Sequence, residues 1–378
     1  MISTWCPLPR WSPWLAVTRR DAFSVDFEGM EQKRVYLIDG RKNCYKANLH
    51  CHSTISDGAM TPSELKENYK GAGYSILAYT DHEVLALHGD LNDERFLALP
   101  GYEAQIYGDM ELPKRLRRVC HMNFYPKDPN NCKMPFFNMG DVLRLDRQPD
   151  LSKAVYDGDG NDEKEYSADG LNRLIAKGRE AGFIVSYNHP TWSKECYEVY
   201  SNLKGLFAME IYNHGANYEM DSYCPYIYEE MARSGQRIGC LATDDNHTSK
   251  DMFGGFTMVY ADALDHASVI KALENGDFYA SRGPIIKELW YENGIFHIEC
   301  SPAAKVVISN SGRRIPAVSV KTANGEAVTM AEFPIQDMDV FVRFTVEDEH
   351  GKTANTRAYW RDEFESTPPV ASNVRAAD

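Results

Sequence analysis

The stretch NLHCHSTISDG, residues 48–58, sets His50 and His52 two apart and places Asp57 shortly after them. Only 11 histidines occur in 378 residues, so the pairing asks for a reason. Side chains of an extended chain alternate faces, so His50 and His52 share one face while Cys51 takes the other. Two imidazoles and a carboxylate so placed can hold a divalent cation. The plain alternative is a half-buried strand that happens to use histidine twice.

The same residue types recur along the chain: His82 in TDH, Glu103 in LPGYEA, His121 in VCHMNF, His189 in NHP, and Asp245 with His247 in TDDNH. They lie on or just past short apolar runs at 45–52, 74–82, 97–104, 119–126, 183–190 and 237–247, and a further run spans 206–214. With His214 in IYNHG, seven of the 11 histidines stand at such ends. Burying that many imidazoles without a compensating charge is costly, which favours ligands over isolated core histidines. His88, His266, His297 and His350 fall in helical, loop or C-terminal segments and carry no such implication. Cys51 and Cys120 alternate away from their neighbouring histidines and read as packing residues.

Helices must lie between several of these runs. TPSELKENYKGAG (61–73) opens with Thr61 as a cap, Pro62 in the first position and Glu64 three residues after the cap, and Gly71 and Gly73 stop it. Segments 170–182 and 225–236 follow the same plan. Strand–helix–strand spacing implies parallel strands with right-handed crossovers and a site at their carboxyl ends. Seven runs suggest a barrel near the eight-stranded kind. From about 285 the pattern turns to alternating strands without helices, with Asn293-Gly294 and Asn324-Gly325 as hairpin signals. The expected organisation is a strand extension at 1–40 packing on the barrel and a barrel at 41–284 interrupted by an insertion at 127–169. A β-sandwich at 285–366 and a disordered tail at 367–378 complete it.

This set (HxH, a following Asp, TDH, a Glu, an isolated His, NHP and DxH) resembles the PHP (polymerase and histidinol phosphatase) superfamily of metal-dependent phosphoesterases over roughly residues 41–280. The resemblance implies an α/β fold, a distorted (β/α)7 barrel, here with a small C-terminal all-β immunoglobulin-like sandwich. The NGDFYASRGP ending and β-rich tail are similar to the carbaryl hydrolase-like subgroup. The resemblance also implies three divalent metal ions on nine residues. Glu103 would bridge two ions. His50, His52 and Asp245 would complete one sphere, His121 with His189 a second, and Asp57, His82 and His247 would hold the third. Asp245 rather than Asp244 matches the family's Asp-x-His spacing, and His214 has no family counterpart. Zinc, manganese, iron or nickel suits such donors. A metal-bound hydroxide held by Glu103, Asp245 and His52 would be the nucleophile.

A phosphorylated small molecule also needs cations. Lys114, Arg115, Arg117 and Arg118 precede His121, and Arg282 is a further candidate. Trp192, after the NHP motif, can stack on a flat group or pack the rim. A long insertion such as 127–169 serves as a lid or specificity element. Its DGDGNDEKE stretch (157–165) invites a calcium-loop reading. Asp162 stands where glycine is required and Ala168 where glutamate is, which rejects it.

Bulk properties agree with a soluble enzyme: 43% hydrophobic, 12% aromatic and 25% charged residues. A net charge of −14 argues against long nucleic acid and anionic membrane. The tryptophan-rich start is broken by Pro7, Pro9 and Pro13 and lacks the basic opening of a secretory signal. Nine cysteines without regular spacing read as reduced thiols in a cytoplasmic protein. The leading expectation is hydrolysis of a small phosphate ester, of nucleotide or sugar-phosphate type. The alternatives are hydrolysis of a non-phosphate ester or carbamate, and a non-catalytic metal-stabilised binding module.

Overall fold

The computed structural model describes residues 34–113, 116–145, 147–312, 317–320, 324–336 and 339–365. Residues 1–33 of the expected strand extension, the tail from 367, and Lys114 and Arg115 lie outside them. The architecture is mixed α/β. It starts with β1 (Val35–Ile38), β2 (Asn43–Asn48), α1 (Pro62–Gly71), β3 (Ile76–Tyr79), β4 (Leu97–Pro100), β5 (Tyr102–Tyr107) and β6 (Val119–Pro126). The insertion contributes β7 (Lys133–Met134), α2 (Met139–Val142) and β8 (Val155–Tyr156). There follow α3 (Ala168–Glu180), β9 (Phe183–Tyr187), α4 (Pro190–Ser193), α5 (Tyr197–Tyr200), β10 (Ala208–Asn213), α6 (Pro225–Arg233) and β11 (Gly239–Thr243). After them come β12 (Phe256–Ala261), α7 (His266–Asn275) and β13 (Phe278–Ser281). The C-terminal part holds β14 (Ile286–Glu292), β15 (Ile295–Ala303), β16 (Lys305–Asn310), β17 (Ala317–Val320), β18 (Val328–Pro334), β19 (Phe341–Glu347), β20 (Thr353–Asn355), β21 (Tyr359–Trp360) and α8 (Arg361–Phe364).

The helix signals act as expected. Thr61 and Glu64 form a reciprocal capping box at the start of α1, with Pro62 in the first position. Ser167 caps α3, and its Leu171, Leu174 and Ile175 are buried. That spacing turns one stripe of the helix to the sheet.

Two sheets carry the motifs. In one, β2, β3 and β4 run parallel and β12 joins β2 antiparallel. In the other the order is β11-β10-β9-β6-β5. Strand β6 is antiparallel to both β5 and β9, against the expectation of uniformly parallel strands. The cause is the short link at 108–118, because a parallel crossover needs a dozen or more residues and a hairpin does not. The apolar run 97–104 also divides at Gly101, sending β4 to the first sheet and β5 to the second. Among the described residues the ladders do not close into a barrel. The sheets meet instead through isolated bridges, Cys51 with Asn246 and His82 with Glu103, at the ends that carry the motifs.

Beyond β13 the first sheet continues through β20 into β19, β16 and β17, so the C-terminal strands share hydrogen bonds with the motif-bearing part. A four-stranded sheet, β1-β14-β15-β18, lies over them, and Ile298, Phe296, Val306 and Phe344 belong to one buried cluster between the two. β1 pairs with β14, and its Ile38 is buried in one cluster with Tyr260 of β12 and Tyr279 of β13. Asn293 and Gly294 have φ of 51° and 81° and turn the β14–β15 hairpin. Asn324-Gly325 does not join paired strands: β17 pairs with β16 and β18 with β15, in different sheets.

Candidate metal centre

The nine expected ligands come together. His50 and His52 lie beyond the end of β2, fully buried, with their Nε2 atoms 3.1 Å apart. Backbone bonds from His52 N–H to Asn246 O and from Asp245 N–H to His50 O hold the HxH and DxH segments side by side. Asp245 Oδ1 is 3.2 Å from His50 Nε2 and 3.0 Å from His52 Nε2. Glu103 stands centrally. Its oxygens lie 3.3 Å from His50 Nε2, 3.4 Å from His52 Nε2, 2.9 Å from His82 Nδ1, and 3.2 Å from both His121 Nδ1 and His189 Nε2. At the mouth, Asp57 Oδ2 is 3.6 Å from His82 Nε2 and 3.4 Å from His247 Nε2.

Four overlapping groups of donor atoms result: His52, Asp57, His82 and His247; His50, His189 and Asp245; His50, His52 and Glu103; Glu103, His121 and His189. The grouping differs in detail from the expected partition, since His52 also sits with the Asp57 set and His189 with Asp245. Cys51 and Cys120 face away into apolar clusters, as alternation requires.

Electrostatics divides the imidazoles: burial works against charging His50, His82, His189 and His247, but the carboxylates facing them outweigh it and raise all four, His247 to about 9. Burial pushes His121 down to about 4 against the pull of Glu103, and burial with the neighbouring His247 and His82 lowers His52. Burial opposes ionisation of Glu103, but His50, His121 and His82 outweigh it and hold the carboxyl well below its usual range.

Several residues that support this centre escaped the sequence reading. Glu210, on β10, is buried with its Oε1 2.7 Å from His50 Nδ1. The same carboxylate accepts from Thr243 Oγ1 at 2.8 Å, from the His189 backbone N–H at 2.8 Å and from Asn213 Nδ2 at 2.9 Å. Asn188 Nδ2 donates to Glu103 Oε1 at 2.8 Å, and Asn213 Nδ2 to Asp245 Oδ2 at 3.0 Å. A carboxylate inside an apolar strand was the available signal, because it is costly there unless bonded. Asp81 accepts from the backbone and hydroxyls of Ser53 and Ser56, shaping the turn before Asp57.

The paired aspartates divide their roles. Asp244 accepts from Tyr69 OH and the backbone N–H groups of Phe253, Gly254 and Gly255, away from the cluster. Burial pushes its carboxyl up to about 6 against those bonds. Asp245, with φ of 48°, turns into the cluster; His189 has φ of 23°. Such conformations cost free energy in non-glycine residues and persist where surrounding contacts over-determine them. His214 lies outside the cluster, its Nδ1 2.8 Å from Tyr212 OH.

The cluster opens into a cavity of about 550 Å³. Trp192 lines it, edge-on to His189 with centroids 5.1 Å apart and Nε1 bonded to Glu219. Arg117, Arg118 and Arg282 do not. Arg118 forks onto Asp109 at 2.6 and 2.8 Å, and Arg117 donates to Leu112 O. Arg282 donates to Gly351 O and sits over Tyr212 and Tyr223. Each is held by a local partner that sequence clustering does not reveal. Arg144, from the insertion, lines the cavity instead. In the rejected calcium stretch, Asp157 pairs with Lys133 and Asp162 with Lys177. The eight described cysteines are free, and no described helix is long and apolar enough to cross a membrane.

No family model matches the chain. A 41-residue stretch is 46% identical to a 5'-3' exoribonuclease of Haemophilus influenzae, spanning 11% of this chain and 15% of that protein's length. Among solved structures, the chain is similar to a two-domain protein containing a predicted PHP-like metal-dependent phosphoesterase from Bacteroides vulgatus. That match is at 14% identity, 88% coverage of this chain, 100% of the other and a TM-score of 0.43. It is also similar to an amidohydrolase from Chromobacterium violaceum with bound sulfate and no metal, at 16% identity, 54% and 89% coverage and a TM-score of 0.38.

Proposed function

We propose that this chain belongs to the PHP superfamily, on an interrupted (β/α)7 barrel, and is a metal-dependent hydrolase of small phosphate esters. The observation that supports it is the convergence of six imidazoles and three carboxylates from separate strand ends on one centre. Ligand atoms about 2.1 Å from a shared cation stand roughly 3–3.5 Å from one another, and the donor separations fall largely in that range. The donor chemistry also fits cations. His52 Nδ1, His82 Nδ1, both ring nitrogens of His121, Glu103 Oε2 and Asp245 Oδ1 are buried and crowd one another at ion-pair distances, yet none makes a well-directed hydrogen bond. Unpaired polar atoms at such density are costly unless a guest satisfies them.

Three sets would hold the ions: His50, His52 and Asp245 with Glu103; His121 and His189 with Glu103; and Asp57, His82 and His247. When bound, divalent cations ionise water near neutral pH and neutralise charge on the attacking and leaving oxygens. The chain's own residues do the positioning. Glu210 takes the proton side of His50 and turns Nε2 inward. Asn213 occupies Oδ2 of Asp245, leaving Oδ1 toward His50 and His52, and Asn188 steadies Glu103 through Oε1, the oxygen that also faces His50, His121 and His189. Trp192 forms an apolar wall beside His189 and His121 that limits water. His52→Ala and Asp245→Ala should abolish turnover of an aryl phosphate while far-UV circular dichroism stays native. A panel adding carboxyl esters and carbamates measures the substrate preference. Full activity in either variant rejects the site.

A further inference from the structure

Arg144 is the one lysine or arginine among the described residues around the metal-centre cavity. It belongs to no motif and follows α2 in the 127–169 insertion. Its half-exposed guanidinium pairs with buried Asp141. A guanidinium has five N–H donors in a planar fork, so one carboxylate does not exhaust it.

Asp141 is held from its other side. Lys164 Nζ lies 3.1 Å from Asp141 Oδ2, bonds both oxygens of Glu83 at 2.8 Å and donates to Gln105 O at 3.3 Å. Lys164 and Glu83 are 2% and 0% exposed, so this ion chain is shielded from water. Buried ion pairs are poor sources of stability, but they specify register where two segments must meet one way. Here they join the insertion to the residue after His82 and to the strand of Glu103. A second tether reaches the Asp57 loop: Arg147 Nη1 donates to Gly58 O at 3.0 Å, and Asp150 N–H to Ile55 O at 2.7 Å. The insertion is thus docked on two ligand-bearing loops, and Arg144 is the cation it presents to the cavity. Glu219 and Asp251 line the same cavity. Their charge disfavours a polyanion beside the single arginine.

Resting on the phosphoesterase reading, we infer that the insertion is the anion-holding arm of this site. Arg144 takes an oxygen of a terminal phosphate monoester, Asp141, Lys164 and Glu83 are positioning residues, and the acidic cavity wall restricts the substrate to one compact anionic group. Arg144 neutralising Asp141 alone would be a purely structural role, and Lys164 already serves that purpose.

The test is calorimetric titration of the metal-loaded full chain with inorganic phosphate, beside kinetics on an aryl phosphate and a neutral aryl ester. Arg144→Gln is expected to weaken phosphate binding by at least about tenfold, the loss of one charge-assisted contact. It should raise KM for the aryl phosphate more than for the neutral ester, at unchanged metal content. Arg144→Lys should recover part of the loss, since it restores charge without the fork. Lys164→Met should reproduce the weakened phosphate binding if it folds; Arg144→Gln, at a half-exposed position, is decisive alone. Phosphate binding equal in wild type and Arg144→Gln overturns the inference, as does its absence from wild type. If wild type turns over no phosphate ester, the phosphoesterase reading fails, and the calorimetry still judges Arg144 as an anion site.

Discussion

Glu210 and His50, 160 residues apart, meet with Oε1 and Nδ1 at 2.7 Å, both side chains fully buried. Facing a carboxylate, Nδ1 keeps a proton, so a cation bound beside Glu103 and Asp245 would meet the lone pair of Nε2. The same glutamate holds the His189 backbone, so one side chain orients two donors. Glu210→Gln should lower metal affinity by about 10–100-fold, the usual effect of losing an outer carboxylate. Metal content after dialysis against a graded chelator checks this; unchanged affinity counts against the role.

The SDG motif makes a steric demand. A Cβ on Gly58 would stand 2.2 Å from the His52 carbonyl oxygen and 2.8 Å from Ser53 N, both backbone atoms with little freedom to yield. Gly58→Ala should push the Asp57 loop outward and cost about a hundredfold in kcat/KM, the scale of a one-ångström misplacement. The metal-to-protein ratio should fall with it. Wild-type stoichiometry in Gly58→Ala would show that the loop adapts.

Chelation should loosen the whole centre. A ligand that binds only the native state at a thousandfold excess over its Kd contributes about 4 kcal/mol. Stripping metal should therefore lower Tm by several degrees, and adding zinc or manganese should restore it. A melting curve indifferent to chelator would speak against resident cations.

Glu195 predicts a pH dependence of stability. Burial pushes its carboxyl up to about 7, with Tyr166, Cys120 and Arg118 opposing. A carboxyl raised above its unfolded value of about 4.3 stabilises the fold fully below that value and loses the contribution as pH rises through about 7. Glu195→Gln cannot ionise, so its Tm relative to wild type should improve between about pH 5 and about pH 8. A difference constant over that range would refute the assignment.

The ligand types were readable because their spacing is local. His50 and His52 share a face by alternation alone, and Thr61, Pro62 and Glu64 start a helix through contacts within one turn. Glu210 was readable in principle, as an acid inside the apolar run 206–214, but nothing local named His50 as its partner. Arg117 and Arg118 drew attention by clustering near His121, yet Asp109 and Leu112 claim them. Arg144 carried no local sign.

Residue order by itself determined the donor chemistry: imidazoles and carboxylates at the ends of apolar runs, with capped helices between. Tertiary structure decided how they group, that β6 runs antiparallel, that 97–104 splits between two sheets, and which arginine faces the cavity. The reason is the range of the forces. Alternation and capping act over a few residues, whereas ion pairs and hydrogen bonds join groups 160 or more residues apart, and only the packed chain sets those partners.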